Sequence, residues 1–128
     1  MNFDWIAHRG LGLTDNTVSS IEKALRTTAC GVEIDIHLQN GKLVLEHDRF
    51  CKKDSKTFLE DILNLIKHYD KIVLLDIKGV KYSDELAEEL SLLVNRTNFK
   101  KCKLFVSSFN QKHLNSVRKV DPEISIGL

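Results

Sequence analysis

Residues 31–48 read Gly31-Val32-Glu33-Ile34-Asp35-Ile36-His37-Leu38-Gln39-Asn40-Gly41-Lys42-Leu43-Val44-Leu45-Glu46-His47-Asp48. From Val32 to Ile36 apolar and acidic residues alternate strictly, the period-two signature of a β-strand. Successive side chains leave a strand on opposite faces, so Glu33 and Asp35 share one face while Val32, Ile34 and Ile36 share the other. Asn40-Gly41 pairs the two residue types that best tolerate left-handed backbone, a strong hairpin signal. Leu43-Val44-Leu45 then reads as a strand folding back on its predecessor.

Outward from this stretch, short apolar runs alternate with longer amphipathic ones. Residues 5–7 predict a first strand. Residues 17–27 predict a helix with Val18, Ile21, Ala24 and Leu25 at helical spacing and Asn16 as N-cap. Residues 58–69 predict a second helix and 71–77 a strand of branched apolar residues. Residues 84–95 predict a third helix, 103–106 a strand, and 112–120 a short helix that Pro122 ends. Residues 123–126 begin a last strand. Strand–helix alternation of this kind implies a mainly parallel sheet with helices packed on it. A doubly wound sheet and a (β/α) barrel both fit the periodicity. No glycine-rich dinucleotide or P-loop motif is present.

The chain of 128 residues fits one domain, and 42% hydrophobic with 29% charged residues is ordinary for a globular core. A formal net charge of +1 gives no bulk attraction to nucleic acid or an anionic membrane. Lys52-Lys53 is a short basic cluster of the kind found in solvated loops. Cys30, Cys51 and Cys102 are odd in number and lack CxxC spacing, which speaks against a disulfide framework or a zinc site. No apolar run approaches the ~20 residues of a membrane-spanning helix, and residues 1–5 lack the features of a signal peptide. A cytoplasmic location is the expectation.

Polar residues cluster where the strands end. His8 and Arg9 end the first, Glu33 and Asp35 lie late in the second, and His47 and Asp48 end the third. Asp76 and Lys78 end the fourth, and Ser107 and Ser108 the fifth. In parallel β/α folds the C-terminal strand ends form the functional face. Asp76 and Lys78 share a face with Ile72 and Leu74, and His47 shares one with Leu43 and Leu45. Carboxylates gathered on one face resist joint ionisation unless a cation separates them. A hard divalent ion, Mg²⁺ or Ca²⁺, prefers such oxygen ligands. Pairing with Arg9 and Lys78 is the structural alternative, and the residues alone leave both open. His8 and His47 suit acid/base work near neutral pH. His37 has the parity of Glu33 and Asp35 but lies nearer the turn. His68 and His113 are expected as surface residues of helices.

In order along the chain, His8-Arg9-Gly10, Asp15-Asn16-Thr17, Glu33-Ile34-Asp35, Asn40-Gly41, His47-Asp48, Asp76-Ile77-Lys78, Ser107-Ser108-Phe109 and residues 121–128 resemble the motifs of glycerophosphodiester phosphodiesterases. The resemblance implies a (β/α) TIM-barrel type of fold, here a partial barrel of about six parallel strands with outer helices. Residues 1–128 would form one such domain lacking the C-terminal part of the barrel. It further implies metal-dependent hydrolysis of glycerophosphodiesters to an alcohol and sn-glycerol 3-phosphate, with glycerophosphodiesters or lysophospholipids as small-molecule substrates. Carried over by position, Glu33, Asp35 and Asp76 become ligands of Mg²⁺ or Ca²⁺, His8 and His47 the catalytic pair, and Arg9 and Lys78 phosphate contacts. Asp15 and Asp76 stand where the family usually has Glu. An Asp-x-Lys motif is closer to the related sphingomyelinase D-like phospholipases D, whose phosphotransferase chemistry is the alternative; an inactive remnant is another. The stretch between His47 and residue 58 is shorter than in the family. Open barrel edges would allow self-association.

Overall fold

The computed structural model describes residues 6–8, 17–45, 57–79, 81 and 83–127, with Ala7 and His8 described as backbone. The chain runs β1 (Ile6–His8), α1 (Val18–Leu25), β2 (Gly31–Gln39), β3 (Lys42–Leu45), α2 (Leu59–Ile66), β4 (Ile72–Ile77), α3 (Ser83–Thr97), β5 (Leu104–Ser107), α4 (Gln111–Val120) and β6 (Ser125–Ile126). A 3₁₀ turn at Lys101–Lys103 leads into β5. All the expected elements form, with ends shifted by at most three residues.

The shifts have local causes. Thr17, rather than Asn16, caps α1: its Oγ1 accepts from the Ser20 N–H while the Ser20 hydroxyl accepts from the Thr17 N–H, a reciprocal box. Helix α3 runs on to Thr97, whose hydroxyl donates to the Leu93 carbonyl at 2.8 Å. Asn98, at φ +57°, then turns the chain left-handed and ends the helix. Residues 40 and 41 both have positive φ, 50° and 77°, as a two-residue hairpin requires.

The sheet path is β1-β2-β4-β5-β6, every pairing on it parallel. Strand β3 lies off this path and pairs antiparallel with the last four residues of β2. Among the described residues the expected six parallel strands are therefore five, because a two-residue turn can only reverse the chain and a parallel return needs a crossover.

Side-chain parity decides between the two architectures left open by periodicity. The single hydrophobic core contains Val32, Ile34 and Ile36 of β2, Val73, Leu75 and Ile77 of β4, and Leu104 and Val106 of β5. It also contains the apolar faces of all four helices. Among the described residues, helices thus cover only one face of the sheet, as in a barrel wall; a doubly wound sheet would be covered on both. The opposite parity carries Glu33, Asp35, Leu74 and Asp76.

A polar seam joins α3 to α4. Ser83 meets His113 at 2.8 Å, Ser116 donates to Asp84 at 2.7 Å, and Ser91 donates to Asp121 at 2.9 Å. His113, expected on the surface, is 0% exposed. It lies beside Leu114 and four residues before Val117 in α4, and both of those are core residues. His68 is exposed as expected.

Candidate active site

Asp35 and Asp76 are direct neighbours across the parallel β2–β4 pairing, and Glu33 lies two residues earlier on the same face as Asp35. Carboxylate oxygens from all three lie within 4.8 Å of one another. Asp35 is fully buried, while Glu33 and Asp76 are half-buried. Backbone pairing continues past β4, with the Lys78 N–H donating to the Ile36 carbonyl at 2.9 Å. Alternation then returns Lys78 to the face of Asp76. Its ammonium sits 2.8 Å from Asp76 and 3.8 Å from Asp35. The structural alternative for these acids is thus realised in part, through Lys78.

The donor set also fits a hard cation. Oxygens bound to one Ca²⁺ at about 2.3–2.6 Å can lie up to roughly 5 Å apart, and those on Mg²⁺, at about 2.0–2.1 Å, up to roughly 4 Å. A spread within 4.8 Å is compatible with a single ion and needs the least closure for the larger one. The three oxygens come from two adjacent rigid strands, so the cluster is set by sheet register rather than by loop conformation.

His8 takes the register position beside Glu33 at the end of β1. Arg9 and His47, like Asp15 and Asp48, lie outside the described residues. Leu45 pairs with Ile36 and Leu43 with Leu38. Leu43 and Leu45 therefore share the helix-covered face with Ile36, and both belong to the core. Alternation along β3 does not by itself carry His47 to the carboxylate face. His37 is buried on that face, and its Nδ1 would lie 3.7 Å from a Cβ added at Gly79.

Two contacts made by the Ser107-Ser108-Phe109 stretch were not specified by the sequence reading, which marked only its place at a strand end and its likeness to a family motif. Phe109, just beyond β5, is 99% exposed, and the Lys78 ammonium lies 5.7 Å from its ring centroid. Ser108 donates from Oγ to the Ile77 carbonyl at 3.0 Å, bracing the backbone that presents Lys78. The Ser107-Ser108 position at a strand end was a signal for the second; for the first, the motif marked Phe109 without assigning it a contact.

No protein-family model matches the chain. Its fold is that of solved glycerophosphodiester phosphodiesterases. It superposes on the enzyme from Parabacteroides distasonis with TM-score 0.85 at 21% identity, covering 96% of this chain and 63% of that one. It superposes on an Oleispira antarctica phosphodiesterase, solved in complex with the product sn-glycerol-3-phosphate, with TM-score 0.84 at 23% identity. That match covers 97% of this chain and 64% of the other. The likeness is one of fold, and the chain spans somewhat under two thirds of the length of these structures. By sequence, it is 31% identical over 106 residues to a UV DNA damage endonuclease of Clostridium perfringens, covering 80% of this chain and 24% of that protein.

Proposed function

We propose that the chain carries the metal-binding half of a phosphoric diester hydrolase acting on glycerophosphodiesters, releasing an alcohol and sn-glycerol 3-phosphate. The observation that carries this reading is the convergence of Glu33, Asp35, Asp76 and Lys78 on one face of a sheet with the phosphodiesterase fold. Glu33, Asp35 and Asp76 would hold Mg²⁺ or Ca²⁺. Bound there, the ion supplies charge stabilisation to the phosphoryl oxygens.

Lys78 brings a positive charge to the same place, and Arg9 would add a planar fork suited to two phosphate oxygens. His8, at the register position of Glu33, takes the proton from the attacking hydroxyl, either water or a neighbouring glycerol oxygen. His47 returns a proton to the departing alkoxide. Glycerophosphodiesters and lysophospholipids both present this diester, which ties the activity to lipid and glycerol metabolism. No helix among the described residues is long and apolar enough to cross a membrane. Cys30 and Cys102 are free thiols, a state that the cytoplasm preserves.

The test is phosphodiesterase assay of the purified chain on glycerophosphodiesters with Mg²⁺, Ca²⁺ or chelator. Release of sn-glycerol 3-phosphate that stops with chelator is the expected result. No turnover with either ion would sink the reading. Asp76, in its Asp-x-Lys setting, favours a second reading in which the substrate's own hydroxyl attacks. A cyclic phosphate formed from a lysophospholipid would select that phosphotransfer.

A further inference from the structure

We propose that His113 is a positioning residue for Lys78, acting by fixing the backbone turn that presents the lysine to the carboxylate cluster. This rests on the proposed role of Lys78 at the substrate phosphate.

The turn after β4 is held on both sides of Lys78. On the near side the Ile77 carbonyl accepts from the Ser108 hydroxyl at 3.0 Å. At Lys78 itself the N–H donates to the Ile36 carbonyl at 2.9 Å. On the far side the Gly79 carbonyl lies 3.2 Å from His113 Nε2. A carbonyl can only accept, so Nε2 carries the proton and Nδ1 is left as acceptor for the Ser83 hydroxyl at 2.8 Å. One imidazole on α4 therefore grips the β4–α3 connection near its start, at Gly79, and at its end, at Ser83.

Gly79 has φ +91°, backbone that a residue with a Cβ rarely adopts. Its carbonyl direction is thus a committed choice, and His113 is the side chain it meets. His113 is 0% exposed, so water cannot replace the bond. The same segment of chain also brings Phe109 under the Lys78 ammonium. Lysine is a flexible side chain on four methylenes, and where its charge rests depends on where its backbone is anchored. A role confined to packing would need an apolar residue here. Instead the site spends both ring nitrogens on the connection that carries Lys78.

The experiment compares His113→Leu, His113→Gln and Lys78→Met with the wild-type chain and with the Lys78→Met/His113→Leu double variant, each checked for a native circular dichroism spectrum. His113→Leu should lower kcat/KM by about ten- to a hundredfold, the scale of a small misplacement, with kcat falling more than KM rises. His113→Gln retains a donor for Gly79 and should recover to within about threefold. In the Lys78→Met background, adding His113→Leu should cost less than about twofold, because the group being positioned is gone. An undiminished loss in that background overturns the proposal and makes His113 structural.

A readout independent of turnover is the ¹⁵N resonance of the Lys78 ammonium, assigned by its loss in Lys78→Met. It should move in His113→Leu and return in His113→Gln, and an unmoved resonance in folded His113→Leu overturns the proposal. If His113→Leu does not fold, Ser83→Ala is read the same way, with a smaller movement expected and none overturning. If the wild-type chain shows no turnover with either cation, the proposed function fails while the resonance still decides the positioning.

Discussion

Glu33, Asp35 and Asp76 place three negative charges within the span of one cation, and one of them, Asp35, is fully buried. Such a set is stable as anions only with compensating charge. Lys78 provides part of it. Glu33→Gln keeps the size of the side chain and removes one charge. It should weaken Mg²⁺ and Ca²⁺ binding at least about tenfold, since even outer-sphere partners of a metal site are worth about 10–100-fold. Unchanged affinity by calorimetry would remove Glu33 from the ligand set. His8→Ala and His47→Ala should each lower turnover by about 10²–10⁴-fold, the range for general acid/base groups. The double variant should lose much less than the product of the two if they act in one proton circuit. Wild-type turnover in either single variant would make that histidine structural. At this scale the sequence was most legible where alternation is strict: parity alone paired Glu33 with Asp35, and the strand-end position of Asp76 completed the set. For His47 parity gave only its companions on the strand, Leu43 and Leu45, which face the helices, and His47 itself lies outside the described residues. His113 was misplaced on the surface because its polarity outweighed its position, although spacing to Val117 put it on the buried face of α4.

Between elements, the two ion pairs that flank α3 are unequal, one made by its Arg96 and the other joined to it through Ser91. Arg96 forks onto Glu60 of α2 at 2.9 and 3.0 Å, and its guanidinium holds the Glu60 carboxyl below its usual range. Both side chains are well exposed, so water and salt screen the pair and it adds little. Asp121 differs, with its side chain 7% exposed, 2.9 Å from Lys101 and accepting from Ser91 of α3. Burial pushes its pKa up, but the hydrogen bonds from Lys101 and Ser91 and the charge of Lys101 outweigh that and hold it below the ordinary value. A folded pKa below the unfolded one means the contribution is complete above the unfolded pKa, about 3.9. It is then lost as pH falls through the lower, folded value. Asp121→Asn should therefore destabilise the chain at pH 7 by about 1.5–3 kcal/mol, the range for hydrogen bonds to charged groups. In urea titrations the gap between wild type and variant should narrow below roughly pH 4. A gap that stays constant down to pH 3 would show that the charge is not its source. This contact was not legible beforehand, because it links residues twenty and thirty positions apart that only the packing of α3, β5 and α4 brings together. The elements themselves were legible because each carries its own period, and their ends were blurred where a cap such as Thr17 or a left-handed Asn98 decides the matter.

At the level of the whole molecule, the described helices cover one face of the sheet, and the other carries the carboxylate cluster and half-buried apolar residues. Ile72 and Leu74 are of this second kind, whereas Val73 and Leu75, on the covered face, are 0% exposed. Among the described residues β1 pairs only with β2, and β6 only with β5. An unpaired strand edge is a template for another chain. The two edges are not equivalent. Strand β6 has two residues, too short to recruit a partner strand well, and very short edges are one way natural sheets avoid association. Strand β1 has three and presents Ile6, 38% exposed. The β1 edge is thus the more adhesive, and a charge there should act as a gatekeeper. Purified as these 128 residues, the protein should sediment with a concentration-dependent mass, and Ile6→Lys should shift it toward monomer. The cluster of Glu33, Asp35 and Asp76 sits on β2 and β4, inside the sheet, so cation affinity should be the same in both forms. A single monomeric species at every concentration, with one sharp melt above roughly 60 °C, the upper part of the ordinary mesophile range, would contradict this. It would mean that the β1 edge is already protected by the chain itself, and Ile6→Lys would then have no association to suppress.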